Sequence, residues 1–186
     1  MFEREKKYLI NDYDGYLKLK KNYIRKSLLI QWYKYNGERI RRVKSYSGVE
    51  TWVKTTKKYI SAEIRHEQEE VIRKPNLEEL NNLEVVAKIR YFILDDPEIV
   101  IDRLLNPFRL IKYKLPFDKI KYLLEIEEKS NKIEDLNKYL KSYLKDDFKY
   151  LKQIDKENVF SNRDFAGTFE DKAEKLIIYC EDDFNG

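Results

Sequence analysis

Residues that bind metals or act as nucleophiles through sulfur or imidazole are almost missing from this sequence. Cys180 is the single cysteine and His66 the single histidine among 186 residues. These numbers exclude an intrachain disulfide, a cysteine metal cluster and a metal site built from several histidines. Because Cys180 lies near the end of the chain, we interpret it as a small packed residue rather than a nucleophile.

Long apolar runs and flexible linkers are missing as well. No run approaches the length that crosses a bilayer, and the chain begins with charged residues instead of a basic segment followed by an apolar one. No stretch rich in Gly, Pro or Ser divides the chain. We therefore expect one domain over residues 1–186, located in the cytoplasm and without a membrane partner.

The composition that remains is typical of a folded protein. Charged residues make up 39%, hydrophobic residues 42% and aromatic residues 14%, which is enough apolar material for a core. The 38 basic and 34 acidic residues give a net charge of only +4. This balance is too even to favour general nucleic-acid binding, so the positions of the charges matter more than their sum.

About eight segments have the composition or the alternation of β-strands. They are residues 2–10, 27–35, 38–46, 49–57, 62–72, 85–94, 99–104 and 119–127. Between the second and the third, Asn36-Gly37 predicts a tight hairpin turn in which both residues take a positive φ. Helices are predicted after Asp12, near residues 77–80, from Asn131 onward and over residues 170–179.

Charged residues recur at alternate positions in most of these strands, and alternate residues share one strand face. The resulting rows are Glu3, Glu5 and Lys7; Arg39 and Arg41; Lys54; Arg65, Glu67 and Glu69; Lys88 and Arg90; Glu125 and Glu127. Each row alone is explained by the wet face of an antiparallel sheet. Together they also fit a closed barrel whose polar lumen receives all of them.

In such a lumen the two signs of charge have complementary uses. Guanidinium and ammonium groups bind phosphate oxygens, which suits a highly anionic ligand. Carboxylates would repel that ligand unless a divalent cation such as Mg²⁺ or Mn²⁺ bridges them to it. The mixed rows therefore favour a phosphate ligand and a metal cofactor in one space.

In their order along the chain, these rows resemble the CYTH or triphosphate tunnel metalloenzyme family, which includes inorganic triphosphatases, thiamine triphosphatases and class IV adenylate cyclases. The motifs are Glu3-x-Glu5-x-Lys7, Arg39-x-Arg41 after a hairpin glycine, Lys54, Arg65-x-Glu67-x-Glu69, Lys88-x-Arg90-Tyr91, Asp102 and Leu124-Glu125-Ile126-Glu127. A segment from Ser161-Asn162 to Ala166 is similar to a family segment near the C-terminus, and Lys156 loosely matches the basic residue before it. The resemblance covers most of the chain but does not identify a substrate.

The resemblance implies an α+β fold with an antiparallel closed β-barrel of about eight strands, shaped like a tunnel, and with helices packed outside. It also implies metal-dependent hydrolysis of a triphosphate-bearing small molecule, such as inorganic tripolyphosphate or a nucleoside triphosphate. On this hypothesis the phosphate contacts come from Lys7, Arg39, Arg41, Lys54, Lys88 and Arg90. The Mg²⁺ or Mn²⁺ ligands are Glu3, Glu5, Asp102, Glu125 and Glu127, and the catalytic residues are Glu67, Glu69 and Lys7, with the two glutamates orienting the attacking water or a second metal.

Three other functions use the same residues. A class IV type adenylate cyclase would form cyclic AMP and pyrophosphate from ATP, and an RNA 5′-triphosphatase would need a basic path for RNA. A non-catalytic module would hold polyphosphate or a nucleotide, although carboxylates do not favour binding of a polyanion alone. The sequence leaves the oligomeric state open, a homodimer included.

Overall fold

The computed structural model describes residues 4–59, 65–114, 119–129, 132–154 and 163–186, without the side chains of residues 57–59 and 65–67. Among the residues predicted from the sequence, Glu3, Lys156, Ser161 and Asn162 lie outside the described residues, as do the side chains of Arg65 and Glu67.

The described residues form eleven β-strands and three α-helices. The strands are β1 (Arg4–Ile10), β2 (Arg25–Tyr33), β3 (Arg39–Ser45), β4 (Glu50–Tyr59), β5 (Arg65–Ile72), β6 (Glu84–Asp95), β7 (Glu98–Leu104), β8 (Ile111–Lys112), β9 (Tyr122–Glu128), β10 (Leu151–Gln153) and β11 (Thr168–Phe169). The α-helices are α1 (Tyr13–Lys20), α2 (Leu136–Leu144) and α3 (Ala173–Asn185), and short 3-10 helices cover Leu77–Leu80, Pro107–Arg109 and Lys145–Tyr150.

Nine strands form one large sheet in the order β10-β1-β9-β7-β6-β2-β3-β4-β5, and β11 pairs with β8 in a second, small sheet. The pairs with a defined register are antiparallel. The expected α+β class with an antiparallel sheet is therefore confirmed. Closure of that sheet into a tunnel stays a prediction.

Contacts between residues divide the chain into two compact units. The first contains Met1–Lys26, Arg90–Arg103 and Ile120–Val159, and the second contains Ser27–Ile89, Leu104–Lys119 and Phe160–Gly186. Each unit collects segments from distant parts of the sequence, because antiparallel pairing brings distant strands together.

In the first unit, helices cover one face of the strands and leave the charged row on the other. Tyr8 of β1 is fully buried, and its hydroxyl lies 3.0 Å from Oδ1 of Asn137 in α2. Tyr16 of α1 stacks on Tyr122 of β9 with 4.3 Å between the ring centroids. Alternation then places Glu5 of β1 and the odd-numbered residues of β9 on the opposite face.

In the second unit, α3 packs on the face of β3 that carries the even-numbered residues. The buried guanidinium of Arg42 in β3 binds the carboxylates of Glu50 in β4 and Glu181 in α3. Trp32 and Trp52 stack on this same face with 5.9 Å between their centroids. The odd-numbered residues of β3 therefore lie on the other face.

The predicted helices are present with shifted bounds. Asp12 caps α1, and Asp135 rather than Asn131 caps α2, while the segment at Leu77–Leu80 is a 3-10 helix. Cys180 is fully buried in α3, and burial raises the pKa of its thiol to about 12, which agrees with a packing role. No helix within the described ranges is long and apolar enough to cross a membrane.

The hairpin between β2 and β3 has a different turn from the one predicted. Gly37 has φ of 87°, but Asn36 is not among the described residues with positive φ. Instead, the Oδ1 atom of Asn36 accepts a hydrogen bond from the backbone N–H of Glu38. The prediction of two positive φ values was wrong because this side chain stabilises a longer loop, in which glycine alone takes the left-handed conformation.

The Arg42 cluster predicts loss of stability in acid. Burial raises the pKa of Glu181 and of Glu50, but hydrogen bonds outweigh it and hold both below the ordinary value of 4.5. Their contribution is therefore present above about pH 4.5 and is lost as pH falls through the lower folded-state pKa values. We expect Glu181→Gln to lower the free energy of unfolding at neutral pH and to flatten its decline below about pH 4.5.

Urea denaturation at several pH values measures both effects. Glu174→Gln is the matched control, because Glu174 is an exposed carboxylate in the first turn of the same helix. Equal pH profiles for the two variants would contradict a role for Glu181 in the acid transition.

Candidate functional site

Three carboxylates line up across neighbouring strands of the first unit. Glu5 of β1 is directly opposite Glu127 of β9, and Glu127 is directly opposite Glu98 of β7. Adjacent strands are about 4.8 Å apart, so the three side chains rise from one face at short spacing. We call Glu5, Glu127 and Glu98 the carboxylate row.

Lys7 lies two residues further along β1 and so on the same face as Glu5. It is opposite Glu125 in the register, and its Nζ is 2.5 Å from Oε1 of Glu5 and 3.9 Å from Oε1 of Glu125. Burial alone would lower the pKa of Lys7, but the charges of Glu125 and Glu5 outweigh it and raise the pKa above 10.5. Lys7 is therefore a fixed positive charge beside the carboxylate row.

Arg90 of β6 is paired with several carboxylates of this unit. Its Nε and Nη2 donate to the two oxygens of Asp102 at 2.8 and 2.7 Å, and Nη2 also donates to Oε2 of Glu125 at 2.7 Å. Burial disfavours the charge, but Asp102 and Glu125 more than compensate and raise the pKa of Arg90. Both Asp102 oxygens bind this guanidinium, so Asp102 positions Arg90, and its role as a metal ligand stays a prediction.

Glu98 is a site residue that the sequence analysis missed. The predicted strand began at residue 99, after the turn at Pro97, whereas β7 begins at Glu98. Its carboxylate is 3.9 Å from Nη1 of Arg90, and burial followed by the charge of Glu127 raises its pKa despite that arginine. Following alternate residues back from Asp102 through Val100 would have reached Glu98 on the same strand face.

The carboxylate row has the oxygen donors that Mg²⁺ and Mn²⁺ prefer. Two of its carboxylates are turned towards ammonium groups, since Glu5 binds Lys7 and Glu127 lies 3.1 Å from Nζ of Lys129. Within the described part of the chain, no three acidic, histidine or cysteine residues already surround a common metal position. The donor chemistry fits a divalent cation, and binding would require these side chains to turn away from the lysines.

A second charged group occupies the second unit. Arg39, Thr55 and Glu69 lie opposite one another across β3, β4 and β5, and Arg41 is two residues further along β3. Glu69 accepts hydrogen bonds from Arg39 at 3.1 Å, from Arg41 at 3.0 and 3.3 Å and from Thr55 at 3.1 Å. We call this group the arginine cluster.

Lys54 does not belong to the arginine cluster. The register places it opposite Ile40 of β3 and Glu70 of β5, which puts it on the other face of the strands from Arg39. Its Nζ lies 3.5 Å from Oε1 of Glu38. The sequence hypothesis grouped Lys54 with Arg39 and Arg41 as phosphate contacts, but the register gives Lys54 the opposite strand face, because one position along a strand reverses the face.

Lys88 lies two residues before Arg90 in β6 and therefore on the same face. It is 1% exposed, and a lysine so deeply buried keeps its charge only with close polar partners. Lys88 belongs to the second unit and Arg90 to the first.

The structure thus brings the predicted residues together in two groups. Glu5, Lys7, Arg90, Asp102, Glu125 and Glu127 meet in the first unit, and Arg39, Arg41 and Glu69 meet in the second. The residues that sequence reasoning missed are Glu98 and Thr55. Thr55 gave no signal because an uncharged residue does not mark a charged row.

Comparisons with known proteins bear on the fold. The chain is similar in structure to the PH1819 protein from Pyrococcus horikoshii, with a TM-score of 0.52 and 16% sequence identity, over 87% of this chain and 93% of that chain. No protein-family model matches the sequence, and no curated protein matches it. At this identity the likeness supports a shared architecture and carries no function.

Removal of the Asp102 carboxylate is expected to destabilise the protein strongly. Asp102 is fully buried, so Asp102→Ala leaves the guanidinium of Arg90 without its bidentate partner. Breaking a buried ion pair from one side costs about 3–5 kcal/mol, and we expect that loss in the free energy of unfolding measured with urea.

The matched control removes an exposed carboxylate from the same unit. Asp95→Ala breaks the pair with Arg25, whose side chains are 61% and 48% exposed, and should change the free energy of unfolding by less than about 1 kcal/mol. If both variants lost the same stability, the assignment of Asp102 to a buried pairing role would be rejected.

Proposed function

We propose that this chain is a divalent-metal-dependent triphosphatase that hydrolyses a phosphoric anhydride bond of a triphosphate-bearing small molecule. The observation that carries the proposal is the carboxylate row lying beside Lys7 and Arg90 on one face of three adjacent strands. A surface that served only to keep the protein soluble would not need the fully buried Asp102 paired with Arg90 beside it.

The proposal assigns Mg²⁺ or Mn²⁺ to the carboxylate row. Glu5, Glu127 and Glu98 would hold the cation, with Glu125 nearby and Glu3 two residues before Glu5 in the same sequence motif. When bound, such a cation offsets phosphate charge and polarises the phosphoryl group for attack by water. The contact with Lys7 orients the Glu5 carboxylate before the cation arrives.

The remaining cations would hold the phosphate chain. Lys7 contributes a fixed charge next to the metal ligands, and Arg90 offers a guanidinium that Asp102 keeps in place. Arg39 and Arg41 supply further guanidinium groups, which suit the paired oxygens of phosphate. Phosphoryl transfer depends mainly on such positioning and charge stabilisation, so these residues account for most of the expected rate enhancement.

The closed, tunnel-like sheet implied by the family resemblance is part of the same proposal. Closure would give the charged faces a common interior, and a triphosphate is long enough to use cations from several strands. The likeness to the PH1819 protein supports the large antiparallel sheet on which such closure depends.

Product analysis tests the proposal directly. The protein is incubated separately with tripolyphosphate, ATP and thiamine triphosphate, each with Mg²⁺ or Mn²⁺ and with EDTA. We expect orthophosphate to form only with the metal, because the carboxylates otherwise repel the substrate. Cyclic AMP with pyrophosphate would favour the cyclase instead, and binding without products would favour the non-catalytic module.

Substitution of the carboxylate row separates metal binding from folding. Glu5→Gln and Glu127→Gln should each abolish metal-supported turnover, because an amide lacks the charge that holds a divalent cation. Metal affinity from titration calorimetry should fall in both variants, while the melting temperature stays close to that of the wild type.

Glu134→Gln serves as the control, since this glutamate is exposed and lies before α2 in the same unit. Near-normal turnover and metal affinity in both row variants would reject the assignment of the metal to the carboxylate row.

A further inference from the structure

One carboxylate oxygen in the arginine cluster collects hydrogen bonds from three side chains. Oε1 of Glu69 accepts from Nη2 of Arg39, Nη2 of Arg41 and Oγ1 of Thr55, all at 3.0 to 3.1 Å. Arg39 also donates to Thr55 at 3.0 Å, which orients the hydroxyl. Several donors converging on one anionic oxygen is the geometry that proteins use to bind an oxyanion.

The donors and the acceptor of this cluster differ in burial. Thr55 is fully buried and the Arg39 and Arg41 side chains are 10% and 20% exposed, but the Glu69 side chain is 46% exposed. Glu69 also comes from β5, which is at one end of the sheet order. The donors are held by packing, whereas the acceptor lies at the surface, where ion pairs contribute little to stability.

The cluster has more donors than Glu69 can satisfy. Among the described residues, the Nε–H of Arg39 has no hydrogen-bond acceptor. This N–H group is buried, and Arg39 as a whole is only 8% exposed. A buried donor without an acceptor is costly and uncommon in native proteins. A phosphate group has more oxygens than a carboxylate and can reach donors that Glu69 leaves unused.

We propose that Arg39, Arg41 and Thr55 form an oxyanion site that Glu69 fills in the absence of ligand, and that a phosphate group binds there by displacing the Glu69 carboxylate. The inference deepens the proposed function and rests on it for the identity of the ligand as a phosphate chain. Glu69 acts in this way as an internal competitor. Anions with a single charge gain too little to replace it, so the site favours polyphosphate.

Binding measured without metal tests the displacement apart from turnover. Tripolyphosphate is titrated into the wild type and Glu69→Gln by calorimetry in EDTA, after thermal unfolding has shown that both are folded. We expect Glu69→Gln to bind about three- to tenfold more tightly, since the amide lacks the negative charge of the two arginine ion pairs that the ligand must otherwise break. Adding Thr55→Val to the wild type or to Glu69→Gln should weaken the binding of tripolyphosphate, because it removes the hydroxyl donor.

Glu70→Gln is the matched control for charge. Glu70 follows Glu69 in β5 and is opposite Lys54 in the register, so Glu70→Gln removes the same charge from the opposite face of the strand. Its affinity should equal that of the wild type. The gain of Glu69→Gln should also vanish when Arg41→Gln is added, as a double-mutant cycle requires for a direct coupling.

Equal or weaker binding by Glu69→Gln, an equal gain in Glu70→Gln, or no binding by any variant in EDTA would each overturn the displacement. The product assay distinguishes this failure from that of the proposed function. Metal-dependent orthophosphate release with no effect of Glu69→Gln on affinity rejects the displacement alone. Tighter binding by Glu69→Gln without any product supports the displacement and rejects the hydrolase.

Discussion

A buried guanidinium is stable only when carboxylates lie within hydrogen-bonding distance, and the charged strands of this protein are arranged around that requirement. Arg90 shows it most clearly. Asp102 contributes both oxygens and Glu125 a third, so that β6, β7 and β9 are tied together through one side chain. Arg42 does the same in the second unit with Glu50 and Glu181. Wrong strand pairing would leave these cations unpaired, so the pairs help to fix the register.

The same requirement shapes the two groups of candidate site residues. Lys7 is held by Glu5 and Glu125, and Arg41 is held by Glu69. In both groups these cations are paired with carboxylates of the same unit. A metal or a phosphate that enters must therefore replace an existing ion pair. Such replacement costs less at exposed acceptors than at buried ones, which makes Glu5 and Glu69 better candidates for movement than Asp102.

The two roles found for carboxylates explain why charged rows are hard to interpret from sequence. Asp102 has the residue type of a metal ligand, but its burial against Arg90 makes it a support for a cation. Glu98 has the same chemistry and lies in the carboxylate row, yet the turn at Pro97 hid it from the strand prediction. The alternation rule assigns a face within one strand, and only the register joins that face to its neighbours.

By itself, the sequence determined eight of the eleven described strands and the charged rows, because these depend on periodicity within short segments. It placed Glu5, Lys7, Glu125 and Glu127 on sides of their strands that do meet. Only the tertiary structure separated Lys54 from Arg39 and brought Thr55 and Glu69 to the arginines, since pairing between strands depends on contacts far apart in sequence. Which carboxylate pairs with which cation is likewise decided by the tertiary structure, because several opposite charges are available to each group and burial decides which ion pairs form.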